Sequence, residues 1–352
     1  MPTAVTTVGL IANPVSARDI RRVVANAGSL QAADRASIIL RALAALSECG
    51  VQRVLAMPDR KGLRMLVERG VERELHLGRR LPAVEFIDMP VTGTVVDTLH
   101  AAAVMTDVSV AAIVVLGGDG THRAVVRACA KVPVAGISTG TNNAYPEMRE
   151  PTITGLATGL YAAGRLGDDD ALRANKVLEV EINDGERRDL ALVDVVVSTD
   201  RCIGAKALWH VDHLRELFVS FADPEAIGMS SVAGLLEPVT RDAPAGLHVR
   251  LRPGAGTSIV APIGPGLLEQ VAVAAWERLK PDEPLAVPPQ SGMLALDGER
   301  EMEIGVGDRV TVTLRCDAFR SVDVSRCMQL AAQRRLFHTP FESNGRPREG
   351  KP

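Results

Sequence analysis

Residues 111–128 read AAIVVLGGDGTHRAVVRA. A hydrophobic run leads into Gly117-Gly118-Asp119-Gly120-Thr121, and a helical pattern follows at once. Glycines at such a corner let the backbone approach a phosphate and take a positive φ. The N-terminus of the helix that follows offers free N–H groups and the positive end of its dipole to an anion. Thr121 is suited to cap that helix or to bond a phosphate oxygen. The carboxylate is the unusual member. Beside phosphate it is repelled unless it holds a metal or accepts a proton from the attacking group, and both are roles in phosphoryl transfer. The plain alternative is a tight strand-to-helix turn with an N-capping aspartate. Arg123 stands where a GxGxxG fingerprint needs its third small residue, and no GxxxxGK[ST] occurs, so this is neither a dinucleotide fingerprint nor a P-loop.

The surrounding elements must position that corner. From residue 7 to about 150, short β-rich runs alternate with helical stretches: TVGLIAN, VQRVLAMP, AVEFIDMP, AAIVVLGG and VPVAGIST as strands, with helices between them. The alternation predicts βαβ units and a parallel, Rossmann-like sheet whose nearly all-apolar strands are covered on both faces. AADRASIILRALAALSECG predicts a helix stopped at Gly50. From about 175 the texture changes to short β-rich runs such as KVLEVEIN, LALVDVVVST and DRVTVTLRC, separated by Gly, Pro and Asp. That predicts an antiparallel, sandwich-like second part. The division expected is 1–172, 173–315 and a return of 316–342 to the first part, with 343–352 a polar, disordered tail. A crevice between two such parts is the default ligand site, and strand C-termini of a parallel sheet point at it.

Composition narrows the classes. Forty Lys and Arg against 43 Asp and Glu give a net charge of −3, so there is no basic footprint for nucleic acid. Aromatic residues are only 3%, too few for base-stacking platforms. No apolar run approaches the ~20 residues of a membrane span, and no membrane partner is expected. Five cysteines form no CxxC pair. With no signal-peptide pattern at the N-terminus, reduced thiols and a cytoplasmic location are expected. His210 with Asp212 and His213 is read as a polar helix face and GDDDALR at 167–173 as a linker rather than as metal sites, and the arginines of SARDIRRVV as a solvated helix face rather than a phosphate contact. Cys202 is read as a buried small residue.

GGDGT resembles the signature of the superfamily that joins NAD kinases, diacylglycerol kinases and sphingosine kinases. IANPVSARDI is similar to the first-strand loop of the lipid kinases, with Ala17 in place of a glycine, and GISTGTNNAYP to their nucleotide loop. The run LALDGEREMEIGVGDRVTVTLRCDAF resembles a late strand segment common to both branches. STGTNNAYP together with SSVAGLLEP most resembles the ATP-NAD kinase-like group named for acetoin catabolism, AcoX. The likeness extends over about 7–340.

The resemblance implies a small-molecule kinase of the cytoplasm that uses ATP and Mg²⁺ and acts on a hydroxyl acceptor, as a homodimer or larger homo-oligomer. Asp119 would be the catalytic carboxylate, as base or through Mg²⁺. Gly117, Gly118, Gly120 and Thr121 would cradle phosphates, with Asn13 nearby. Thr139, Gly140, Thr141 and Asn142 would contact the nucleotide, with Asn143 close by. Asp297 and Glu299 match a place where lipid kinases keep catalytic or metal-linked acids. Where NAD kinases carry a ribose-gripping Asn-Glu pair, this chain has Val193-Asp194, and where they carry a tyrosine motif it has GMSSVAGLLEP, with Ser230 and Ser231 as stand-ins. Val193 has no side-chain hydrogen bond to offer, so the expected acceptor is smaller than NAD or bound differently. The rival reading is a non-catalytic nucleotide sensor that keeps the kinase fold.

Overall fold

Alternate residues of the N-terminal strands are buried on opposite faces, which accounts for their unbroken apolar runs. In the computed structural model, which describes residues 5–13, 30–139, 143–199, 211–298 and 300–338, the first strands are β1 (Thr7–Ala12), β2 (Arg53–Ala56), β3 (Ala83–Phe86), β4 (Ile113–Gly117) and β5 (Val134–Ser138). They pair in parallel in the order β3-β2-β1-β4-β5. Val114 and Leu116 face one core, with helices α1 (Ala32–Glu48), α5 (Pro151–Ala162) and α8 (Val324–Gln333). Ile113 and Val115 face the other, with helix α3 (Val95–Asp107). Helix α2 (Leu63–His76) adds Val67 to the first core. Full burial of one such aliphatic side chain is worth about 1.5–3 kcal/mol. Helix α1 stops where expected: Gly50 takes φ 96°, a conformation other side chains resist. Helix α4 (Asp119–Val126) opens directly at the end of β4, and α6 (Asp168–Ala171) is a single turn that leads into the next strand.

Residues 173–191, expected in the β-rich part, join the first sheet. β6 (Leu172–Ile182) and β7 (Arg187–Ala191) extend it through β16 (Val310–Val322), which also carries β13 (Pro284–Ala286). At its far end β16 reaches β5 in parallel at Ser321↔Val134, and α8 then packs on the first core through Val324, Cys327 and Ala331. The second sheet is antiparallel, in the order β11-β12-β10-β9-β8-β14-β15. Its strands are β8 (Asp194–Ser198), β9 (Leu214–Val219), β10 (Gly246–Leu251), β11 (Thr257–Gly264), β12 (Leu267–Leu279), β14 (Gly292–Leu296) and β15 (Arg300–Ile304). The expected sandwich exists where this sheet meets the antiparallel wing of the first: Leu178, Val180, Val312 and Leu314 pack against Val195, Val197, Phe218 and Leu294. Helix α7 (Ser230–Leu236) covers the other face, with Val232 and Ala233 in a separate core.

One element differs from the sequence expectation in a way that matters for the site. LALVDVVVST reads as one strand, but the chain changes sheets inside it, between Ala191 of β7 and Asp194 of β8. At the crossing, the N–H groups of Leu192, Val193 and Asp194 all donate to the Asp297 carboxylate, at 3.0, 2.8 and 3.2 Å. A side chain thus replaces the ladder partners that a strand loses when it leaves a sheet.

Candidate functional site

The glycine corner closes by contact rather than by left-handed backbone. Gly117, Gly118 and Gly120 are absent from the positive-φ residues; Gly118 is extended at φ −94° and Gly120 lies inside α4. This corrects the expectation of positive φ. The need for small residues has another cause. A Cβ on Gly117 would lie 2.6 Å from the Thr121 Cβ, and one on Gly118 would lie 2.8 Å from the Asn143 Oδ1. The turn therefore folds onto the first turn of its own helix on one side, and under Asn143 on the other.

Asp119 starts α4 and is 8% exposed. Its Oδ2 accepts the N–H of Ala144 at 3.0 Å and its Oδ1 the N–H of Tyr145 at 2.9 Å. Two backbone donors, one on each oxygen, fix the orientation of the group. Thr121 Oγ1 accepts from Asn13 Nδ2 at 3.4 Å, and the buried Arg35 donates to the Asn13 carbonyl at 2.7 Å. Asn143 Nδ2 donates to Ser138 Oγ at 2.8 Å, next to the buried Thr139. Asn13, the glycine turn, Asp119, Thr121, Thr139 and Asn143 thus form one corner at the C-terminal ends of β1, β4 and β5. Gly140, Thr141, Asn142 and Glu299 lie outside the described residues, as do Cys202, His210, residues 18–22 and the 343–352 tail.

The helix behind the corner carries two buried charged or titratable groups. His122 Nδ1 bonds the Gly118 carbonyl at 2.9 Å, while Nε2 is buried with no hydrogen-bond partner among the described residues. Burial pulls the imidazole down to about 4, against the Gly118 bond, so the ring is neutral. Arg123 is 3% exposed, donates to the Leu296 carbonyl at 2.7 Å, and lies 3.9 Å from the Asp297 carboxylate. Among the site residues this arginine is the one that sequence reasoning missed most plainly. It carried no signal except that it spoiled a glycine fingerprint.

The remaining expected residues stand elsewhere. Asp297 has a side chain with 0% exposure. Burial pushes its carboxyl up, while Arg123 and the three N–H groups pull the other way. It sits at φ 51°, a left-handed position that aspartate tolerates. Asp297 thus ties the strand crossing to α4 from inside the fold. Asp194, 8% exposed, stands at the crossing and accepts the Asp297 N–H on its carbonyl at 2.9 Å. Val193 is 1% exposed, so its side chain belongs to the interior. Ser230 and Ser231 are buried in α7, where Ser231 Oγ donates to the Gly228 carbonyl at 2.7 Å. They stand in the helix that covers the outer face of the second sheet.

A groove that the motifs did not announce opens beside Asn13, lined by Met57, Pro58, Arg60, Lys61, Thr94 and Asp97 among others. It lies past the C-terminal ends of β1 to β3, on the same edge as the glycine corner. Among the described residues, no three His, Cys, Asp or Glu side chains come together in a way that holds a metal ion.

Residues 8–166 match the family model of the ATP-NAD kinase N-terminal domain, and residues 176–317 that of the acetoin catabolism protein X C-terminal domain. Over 337 residues the chain is 60% identical to acetoin catabolism protein X of Cupriavidus necator, covering 94% of each. The chain belongs to the acetoin catabolism protein X family. A solved structure of yeast NADH kinase complexed with NADH aligns over 99% of this chain and 91% of that one, with a TM-score of 0.50 at 13% identity. It shares the fold: a parallel α/β sheet joined to an antiparallel β-rich one. No helix among the described residues is long and apolar enough to cross a membrane.

Proposed function

We propose that this protein is an ATP-dependent phosphotransferase with Asp119 as its reacting carboxylate and a small alcohol as acceptor. The observation that carries the reading is the corner itself. A buried carboxylate, held by two backbone N–H groups, stands at a strand end between a glycine turn and the loop that follows β5. Phosphoryl transfer needs little covalent help from the protein beyond positioning and charge stabilisation. The glycine turn and the start of α4 would receive phosphate oxygens, with Asn13 and Thr121 alongside. The groove beside Asn13, lined by Arg60 and Lys61 as well as Asp59 and Asp97, would receive the rest of a nucleotide. Asp119 would take the proton of the attacking hydroxyl as general base.

The described residues do not build a metal cage of their own. They fit Mg²⁺ carried on the nucleotide phosphates, which is how this ion is commonly held; there it would neutralise phosphate charge. The acceptor follows from Val193, which leaves the expected ribose grip apolar and internal. An acceptor smaller than NAD, in keeping with the relative's name in acetoin catabolism, fits better than NAD. The soluble site, the cytoplasmic location and a homo-oligomeric state belong to the same reading. The rival sensor reading draws on that same apolar crossing: the nucleotide corner is kept while the acceptor grip is lost. Purified protein incubated with ATP and Mg²⁺, and with NAD, NADH or small diols in turn, decides. Phosphorylation of a diol with little of NAD is expected. Rapid conversion of NAD to NADP would contradict the acceptor, and ATP binding without any transfer would favour the sensor.

A further inference from the structure

Arg241 lies in the loop 237–245, between α7 and β10, and reaches the crevice from the second part of the chain. Its Nη1 donates to the Tyr145 carbonyl at 2.9 Å and its Nη2 to the Ala144 carbonyl. The guanidinium lies over the Phe221 ring, 4.4 Å from its centre, and 5.5 Å from that of Tyr145. Among the described residues no carboxylate forms an ion pair with it. The segment Ala144–Tyr145 is therefore gripped from two sides: its N–H groups face the Asp119 carboxylate, and its carbonyls face Arg241. Two parallel donors on a planar fork match two successive carbonyls in a way a point charge does not.

The loop that presents Arg241 is itself fixed. Lys176 of β6 is 7% exposed and donates Nζ to the carbonyls of Thr240, Ala243 and Ala245 at 3.0, 2.8 and 2.7 Å. Arg173 lies 3.4 Å from the Asp242 carboxylate. A bridge between Ala222 and Val239 closes the loop's base, with 2.9 Å bonds both ways. A buried ammonium on three neutral carbonyls is a costly arrangement, and here it holds one loop in one place.

We propose that Arg241 is a positioning residue: through the 144–145 peptides it sets the orientation of the Asp119 carboxylate, so that a loop of the second part controls a group of the first. The proposal rests on Asp119 as the reacting carboxylate. Its test uses the full chain as wild type, Arg241→Ala and Arg241→Lys, with methylguanidinium or methylammonium added. Three quantities are read: amide exchange at Ala144 and Tyr145, thermal unfolding, and transfer from ATP with Mg²⁺ to the diol. Arg241→Ala should raise exchange at those two amides by at least ~10-fold while amides of β4 hold. It should lower kcat by at least ~10-fold with a smaller change in KM. Methylguanidinium should restore both; methylammonium and the lysine variant should restore little. Unchanged exchange at both amides overturns the proposal, as does loosening across the whole fold without guanidinium rescue, or a kcat that stays at the wild-type value. If wild type transfers to no acceptor, the phosphotransferase reading falls, and the exchange and its rescue alone decide for or against the grip.

Discussion

Asp119 and Asp297 are both buried aspartates whose carboxylates receive backbone N–H groups from another segment. Two groups reach Asp119 and three reach Asp297. Helix α4 links them, beginning with Asp119 and sending Arg123 to within 3.9 Å of Asp297. Their surroundings separate them. Asp119 stands at a strand end beside a glycine turn, whereas Asp297 stands behind it at the strand crossing with an arginine beside it; as whole residues they are 8% and 5% exposed. A carboxylate held at a strand end beside a crevice is placed for chemistry. One enclosed by N–H groups and a guanidinium is placed to hold structure together. Residue type does not distinguish them; position in the fold and the guanidinium beside Asp297 do.

The comparison breaks most readily at Asp297. Asp297→Asn keeps the size and tolerates the left-handed backbone, but it removes the charge beside Arg123 and turns one acceptor into a donor. Breaking a buried charged contact from one side costs about 3–5 kcal/mol. Urea unfolding should show that loss, while Asp119→Asn, at a strand end beside the crevice, should cost less. Equal stability losses in the two variants would erase the distinction drawn between the sites.

The helix between the two carboxylates supplies a smaller effect. His122 is held neutral, with its imidazole pulled from 6.5 to about 4. The unfolded chain therefore binds a proton near pH 6.5 that the folded chain refuses until near pH 4. The stability His122 contributes is complete above pH 6.5 and is lost as pH falls toward 4. Between pH 6.5 and 5.5 the loss should be about 1 kcal/mol, from ~1.4 kcal/mol per pH unit for one proton. Thermal unfolding of wild type and His122→Asn across that range checks it: the variant should show the shallower slope. Parallel curves would mean that the ring is protonated in the folded protein.

Much of the fold was legible because its signals are local. Strand and helix alternation, Gly50 at the end of α1 and the glycine corner after β4 all stand where the sequence puts them. The corner's residue types were legible, although the reason for its glycines was not: close contact with Thr121 and Asn143 depends on how the chain returns. The sheet crossing at Leu192–Val193 was hidden because a uniformly apolar run does not mark which sheet each half joins. What marks it is Asp297, 104 positions away from Val193. For the same reason a late acid at a familiar place was read as reactive; its type is visible in sequence, its enclosure is not. Arg123 and Arg241 act on segments 173 and 96 to 97 positions away, and no spacing rule in a single sequence reports such partners.

The central claim, that Asp119 does chemistry and Asp297 does not, is tested most directly by transfer from ATP and Mg²⁺ to the diol in wild type and Asp119→Asn, with ATP affinity measured alongside. The amide keeps the shape and cannot take a proton. Turnover should fall by at least ~10²-fold, the low end for loss of a general base, while ATP affinity holds or rises because a negative charge near the phosphates is gone. Equal turnover in the two proteins would contradict the claim.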